Sequence, residues 1–144
     1  MTSRQSRIAI IGCGGVAERY YLPALRSCPN VTCAILIDKD LLRAQTLAME
    51  YGIRKTGRDL EAAADLVDGV IIAAPNQLHA DLAIKGLRLG LHVLCEKPLA
   101  RNTDEENSML KVAEDCRLGL FAAMVCRRYS AIREVAANQI PGER

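Results

Sequence analysis

The chain has 144 residues, half of them hydrophobic and a quarter charged, with a formal net charge of +2. That is room for one domain with its own core. Aromatic content is 3%, there is no Trp, and no block of like charge occurs, so nucleic-acid binding through a basic field or stacked bases has no support. Apolar runs stay short of the roughly 18 residues of a membrane helix, so no membrane partner is expected.

In chain order, "MTSRQSR" ahead of "IAIIGCGGVA" imitates a basic head and an apolar signal core. The glycines inside that core suit a strand and a turn better, and the expected address is the cytoplasm. "RIAII" (7–11) and "VTCAILI" (31–37) read as unbroken apolar strands, as parallel strands covered on both faces tend to be. "GVIIAA" (69–74), "HVLCE" (92–96) and "LFAAMVC" (120–126) read the same way, with a weaker strand around Arg54 to Thr56.

Helical segments alternate with them. Pro23 is expected to break two short helical pieces. "DLLRAQTLAMEYG" carries Leu42, Leu47 and Ala48 near helical spacing, with Gly52 as its stop. "NQLHADLAIKGLRLG" places Leu78, Leu82 and Ala83 on one stripe, with Asn76 as cap and an end near Gly90. "TDEENSMLKVAEDC" opens on a capping box of Thr103 and Glu106, and its apolar stripe is Met109, Leu110, Ala113 and Cys116. This alternation predicts an α/β domain on a doubly wound parallel sheet of about six strands, because parallel strands need long crossovers. The dinucleotide-binding unit is expected over 1–127, and 128–144 as a short amphipathic helix leading toward a further domain. Six cysteines show neither a CxxC pair nor a compact framework, so they read as reduced thiols, and no metal site is expected.

Four stretches carry chemistry. In "IAIIGCGGVA" a strand runs into Gly12-x-Gly14-x-x-Ala17 and then a helix, the dinucleotide fingerprint with Ala at its third position. Gly12 allows the tight turn, Gly14 lets a pyrophosphate approach the backbone, and the helix N-terminus faces the phosphates. Asp38 ends the second strand 21 residues after Ala17, where a carboxylate takes the ribose 2′-hydroxyl of NAD. It favours NAD over NADP, although Lys39 and Arg43 stand close enough to blur the choice. In "AAPNQLHAD" Pro75 and Asn76 enter a helix whose first turn holds His79; by themselves they read as a cap and a solvent-facing ring. Finally, "VLCEKPLA" sets Glu96 and Lys97 at a strand tip. The proline holds the Lys97 backbone extended, and the Lys97–Pro98 bond is open to the cis form. A lysine so restricted suits polarising a substrate oxygen; it equally suits a charge snorkelling into water.

Together, "GCGGVAERYYLPAL", "AAPNQLHADLAIKGLRLGLHVLCEKPLA" and "RRYSAIRE" resemble the glucose–fructose oxidoreductase, inositol dehydrogenase and rhizopine-catabolism oxidoreductases, over residues 7 to 136. The resemblance implies a Rossmann domain that binds NAD. Its cofactor contacts would come from Gly12, Gly14, Gly15, Val16, Asp38, Lys39, Arg43, Ala74, Pro75, Asn76, His79, Glu96, Lys97 and Arg128. Asn76 and His79 would lie along the nicotinamide side, and Lys97 would be the catalytic residue that touches the substrate's reacting hydroxyl or carbonyl. Cys126 departs from the polar residue often found there. The resemblance also implies a second, open-sheet domain outside these 144 residues. That domain supplies substrate contacts, an acid–base pair and the usual homo-oligomer interface. The expected partner is a sugar, cyclitol or related polyol. Hydride transfer by the longer protein is the leading reading, with cofactor binding but no turnover expected of this chain alone. A non-catalytic dinucleotide-binding sensor or regulatory module is the second reading, and a fold for another nucleotide such as a coenzyme A derivative is the third.

Overall fold

The computed structural model describes residues 5–124. Cys126, Arg128 and the helix expected over 128–144 lie outside the described residues. Strand β1 is Ser6–Ile11, followed by a π-helical turn, Ala17–Tyr21, that runs into α1, Leu22–Arg26. Then come β2 (Val31–Ile37), α2 (Leu41–Tyr51), β3 (Lys55–Gly57) and a 3-10 turn, Leu60–Ala63. Next are β4 (Gly69–Ile72), a 3-10 turn over Asn76–Leu78, α3 (His79–Arg88), β5 (His92–Cys95), α4 (Thr103–Cys116) and β6 (Leu120–Ala122). All six strands are parallel, in the order β3-β2-β1-β4-β5-β6. The doubly wound sheet expected from the sequence is therefore present, and its order reverses between β1 and β4, where ligands collect in such sheets.

The unbroken apolar runs serve two faces at once. Ala9, Ile11, Ile35, Ile37, Val70, Ile72 and Val93 face one core with Ala83 and Leu87 of α3 and Met109 of α4. Ile10, Leu36 and Ile71, the alternate residues, face a second core with Leu22 of α1 and Ala44, Leu47 and Ala48 of α2. Each side chain hidden this way contributes on the order of 1.5–3 kcal/mol.

Several local expectations are corrected. Pro23 does not break its helix: Tyr21 and Leu22 keep helical dihedrals on either side of the junction, and Leu22 N–H reaches back to the Ala17 carbonyl. The chain widens by one residue into a π turn and passes on, the proline sitting in the first turn of α1 where its missing N–H matters least. Asn102, not Thr103, caps α4 by accepting from Glu105 N–H at 2.9 Å, and Glu105 accepts in turn from Arg101 N–H at 2.9 Å. The cap thus sits one residue earlier than the Thr/Glu signature suggested, and the carboxylate at the third helical position returns to the N–H of the residue before the cap rather than closing a capping box. Asn76 makes no side-chain cap, since the 3-10 turn precedes α3. Leu42 is 73% exposed and Leu110 44%, so Ala44 joins Leu47 and Ala48 on the buried face of α2, while Met109 and Ala113 of the expected stripe carry the buried face of α4. Cys116 is exposed as well. Gly52 does stop α2, at φ +68°.

Candidate functional site

The first residue after each of five strands falls into one transverse row along the carboxyl edge. Asp38 N–H bonds Gly57 O, Gly12 N–H bonds Ile37 O and Ala73 N–H bonds Ile11 O. Glu96 N–H bonds Ile72 O and Ala123 N–H bonds Cys95 O, all at 2.8–3.0 Å. Three strand spacings separate Asp38 from Glu96, roughly 14 Å across the sheet. The register therefore lines up residues 12, 38, 73–74 and 96, which the sequence could offer only as separate motifs.

At the centre of the row Gly12 has φ +95°, and a Cβ there would stand 2.6 Å from the Ala73 carbonyl and the Ala74 nitrogen. The turn and the close approach both require glycine. Gly14 differs: a Cβ on it would meet nothing within 4 Å, so no packing inside the protein demands glycine there. Helical backbone begins at Gly15, and its first-turn N–H groups have no intrahelical acceptor. An open glycine beside unpaired donors at a helix start is a cradle that fits an anionic diphosphate.

Asp38 braces this loop. One carboxylate oxygen accepts from Cys13 N–H at 2.6 Å and the other from Asp40 N–H at 2.9 Å. A carboxylate offers about four lone-pair sites, so a ribose hydroxyl still finds an acceptor. Asp40 meanwhile caps α2 through Arg43 N–H. Two of the five N–H donors of Arg43 are used inside the fold, Nε donating to Cys13 O at 2.7 Å and Nη2 pairing with Glu18 at 2.6 Å. It holds the glycine loop from outside, where the sequence suggested a cofactor contact. Burial first, then the Asp38 charge, pushes the Cys13 thiol up to about 12.

Beyond Asp38 a cleft of about 410 Å³ is lined by Gly12, Asp38, Lys39, Ala74 and Pro75. Leu60, Leu78 and Leu82 form its apolar wall, and Arg58 joins the rim with one guanidinium N–H on Lys39 O at 2.9 Å. Arg58 was not among the residues singled out from sequence. Its signal was its place, one residue past β3 on the carboxyl edge.

At the other end of the row the Lys97–Pro98 bond is cis. Lys97 is exposed, and its ammonium meets no carboxylate among the described residues. Glu96 accepts from the Tyr21 hydroxyl at 2.7 Å and from Lys97 N–H at 3.1 Å. Burial, then this hydrogen bond, raises the Tyr21 phenol well above the ordinary tyrosine range. His79 is 1% exposed, so its ring does not face solvent. Nδ1 lies 2.8 Å from Pro98 O and Nε2 lies 2.9 Å from Ala74 O. Both partners are acceptors, and a neutral ring donates from one nitrogen at a time. His79 thus lies between two backbone loops and donates to one of the two carbonyls at a time. Asn76 and Pro75 are exposed on the turn before it. Tyr21 was missed from sequence, because nothing local couples it to a residue 75 positions away. Arg128 lies outside the described residues.

A parallel sheet with a glycine turn at its switch point, a carboxylate at the next strand tip and an apolar cleft between them defines a dinucleotide-binding domain. Comparison with known proteins makes this specific: residues 6–122 match the GFO_IDH_MocA model, described as "Oxidoreductase family, NAD-binding Rossmann fold", and the chain belongs to that family. The D-xylose 1-dehydrogenase (NADP(+)) 2 of Haloferax volcanii is 35% identical over 136 residues, 93% of this chain and 41% of the relative. The scyllo-inositol 2-dehydrogenase (NADP(+)) IolU of Bacillus subtilis is 34% identical over 120 residues, 82% of this chain and 36% of its own length. Among solved structures, KijD10, a 3-ketoreductase from Actinomadura kijaniata in complex with NADP and TDP-benzene, superposes with a TM-score of 0.88 at 29% identity. That match covers 93% of this chain and 42% of that one. The chain spans about two-fifths of the length of these relatives. Among the described residues no helix is long and apolar enough to cross a membrane.

Proposed function

We propose that this chain is the cofactor-binding part of an oxidoreductase that moves hydride between a nicotinamide dinucleotide and a hydroxyl-bearing carbon of a sugar, cyclitol or related polyol. The observation that carries the reading is the row on the carboxyl edge, with a diphosphate cradle at its centre and, at its end, a lysine that meets no carboxylate among the described residues. When bound, the nicotinamide supplies or accepts the hydride. The residues of the chain hold and orient. The N–H groups after Gly14 take the diphosphate, Asp38 takes the adenosine ribose, and Leu60, Leu78 and Leu82 pack the adenine. Pro75, Asn76 and Glu96 bound the nicotinamide end.

Lys97 is the catalytic residue in this reading. Its ammonium contacts the oxygen of the reacting carbon and stabilises negative charge developing there. The proton that accompanies the hydride goes to a base outside this chain, so cofactor binding without polyol turnover is the expected behaviour of the 144 residues. Substrate class rests on the sugar and inositol dehydrogenases to which the chain is similar.

For the adenosine end, Asp38 argues for NAD, while Lys39 and Arg58 on the same rim offer charge for the 2′-phosphate of NADP. Two similar proteins are named for NADP(+). Fluorescence titration with NADH and NADPH, with coenzyme A as competitor, tests the whole reading. Saturable binding of a reduced nicotinamide dinucleotide, with coenzyme A failing to displace it, supports it. Tighter binding of coenzyme A overturns it. A lower Kd for NADH than for NADPH assigns the ribose hydroxyl to Asp38, and the reverse order assigns the phosphate to Lys39 and Arg58.

A further inference from the structure

The segment that carries Lys97 is fastened at both ends by side chains from elsewhere in the fold. On its N-terminal side, the Tyr21 hydroxyl reaches from the end of the π turn to Glu96 Oε1 at 2.7 Å, while Glu96 Oε2 accepts Lys97 N–H at 3.1 Å. The Glu96 carboxylate therefore joins Tyr21 to the Lys97 backbone itself. On the C-terminal side, His79 Nδ1 meets Pro98 O at 2.8 Å, and its Nε2 meets Ala74 O at 2.9 Å. Tyr21 belongs to the helix that starts at the glycine loop, and His79 to the helix that follows the Ala74–Pro75 loop. Between the two fastenings the Lys97 side chain is exposed and faces no carboxylate among the described residues.

We infer that Tyr21 and His79 are paired positioning residues: the Tyr21–Glu96 bond and the His79–Pro98 bond together fix the Lys97 backbone at the nicotinamide end of the cleft. The inference rests on the role given to Lys97 above. The physical argument concerns freedom. A lysine side chain has four rotatable bonds, and its ammonium adds to binding only to the extent that its point of attachment is held. A segment that bends away from a strand tip has no ladder partner to hold it beyond Glu96 N–H. Two charge-assisted or buried hydrogen bonds, one on each flank, replace that ladder. They come from the helices that follow the glycine loop and the Ala74–Pro75 loop, the two loops that border the cleft.

The π turn has a place in this arrangement. Leu22 N–H bonds Ala17 O, five residues back, so one extra residue is accommodated before Pro23. Such insertions change the direction in which the residues at the turn project and are frequent at functional sites. Here the residue at the end of the turn is Tyr21, the one that crosses to Glu96.

The test uses two kinds of readout on the full 144-residue chain. The first requires no cofactor: 15N relaxation of the Lys97 amide. In the unaltered chain it is expected to report rigid backbone, with an order parameter of about 0.85, and to fall toward about 0.6 in Tyr21→Phe, which removes one oxygen and keeps the ring. His79→Gln and His79→Asn separate the two ring nitrogens. The Asn amide nitrogen reaches the place of Nδ1 and keeps the bond to Pro98 O; the Gln amide reaches the place of Nε2 and loses it. The Gln variant is expected to loosen Lys97, and the Asn variant to retain its order. The second readout compares NADH with ADP-ribose, which lacks the nicotinamide. Tyr21→Phe and His79→Gln are expected to weaken NADH about 5-fold and ADP-ribose less than 2-fold, and Lys97→Ala to do the same. Tyr21→Phe added to Lys97→Ala is expected to cost nothing further, because the two act through one group.

A Lys97 amide equally rigid in Tyr21→Phe and His79→Gln overturns the inference. So does a loss of affinity shared equally by NADH and ADP-ribose, or one that adds in full to that of Lys97→Ala. A chain whose Lys97 amide loosens as expected but which binds neither nucleotide overturns the proposed function and leaves the paired bracing standing.

Discussion

The two ends of the carboxyl edge are held in different ways. At the glycine loop, shape is set by what is missing: Gly12 must lack a Cβ because Ala73 and Ala74 backbone atoms stand 2.6 Å from where it would be. At the Lys97 end, shape is set by what is added, since a hydroxyl and an imidazole from distant elements reach in to hold an otherwise unladdered segment. The first kind of constraint is local and intolerant. The second is distributed, and each bond contributes only about 0.5–3 kcal/mol.

The sharpest way to break the contrast is Gly12→Ala. Positive φ and the backbone clash together are expected to cost about 3–5 kcal/mol, read as a drop in urea midpoint with unchanged slope. A loss below about 1 kcal/mol would mean that the loop is as adaptable as the Lys97 segment. Asp38→Asn comes next. It replaces a carboxylate holding Cys13 and Asp40 N–H groups by an amide whose nitrogen cannot accept. About 1–3 kcal/mol of stability is expected to go with it, along with tenfold or more in NADH affinity.

Gly14→Ala sharpens the comparison in the opposite sense. With open space around the new methyl group, stability is expected to stay within about 0.5 kcal/mol while NADH binding weakens at least tenfold. Equal NADH affinity would remove the diphosphate from that position.

Alkaline pH reads the second end of the row. The Tyr21 phenol is raised above its ordinary value of 10.0, so the folded state holds that proton more tightly than the unfolded chain. Its contribution is complete below about pH 10 and is lost as pH rises through the folded value. The buried thiols of Cys13 and Cys95, both raised from 9.0 to about 12, add a loss that begins near pH 9. Denaturation midpoints measured from pH 8 to 11 are therefore expected to fall, and to fall less steeply above pH 10 in Tyr21→Phe. Parallel curves would argue that Tyr21 is not tied to Glu96 in solution. The smallest effect is remote from both ends: Arg117 closes α4 at φ +56°, and Arg117→Gly is expected to raise stability by about 0.5–1 kcal/mol in the same assay.

Legibility follows the same division. The fingerprint, the acid at the tip of β2 and the Glu96–Lys97–Pro98 block stood in the sequence because each is a local pattern with a local cause. The α4 cap slipped by one residue to Asn102, which accepts from Glu105 N–H, since Thr103 and Glu106 make an equally good signature and only geometry chooses. Arg43 lay near Asp38 in sequence, and its bonds to Cys13 O and Glu18 tie it to the glycine loop, a link the sequence did not show. His79 read as a solvent-facing ring or a nicotinamide neighbour, and it is a buried link between two carbonyls. Tyr21 gave no local sign, because its partner lies 75 positions away, and Arg58 gave only its place one residue past β3.

By itself, then, the sequence determined the parallel sheet, its helices, the glycine turn and the chemical character of the edge. Apolar period, chain direction and glycine all act within a few residues. Only the tertiary structure decided that Gly12, Asp38, Ala73 and Glu96 share one row, because strand register is a relation between strands. It likewise decided which polar side chains are available to a ligand and which are consumed in holding the loops, since a hydrogen bond depends on partners the chain brings together only when folded.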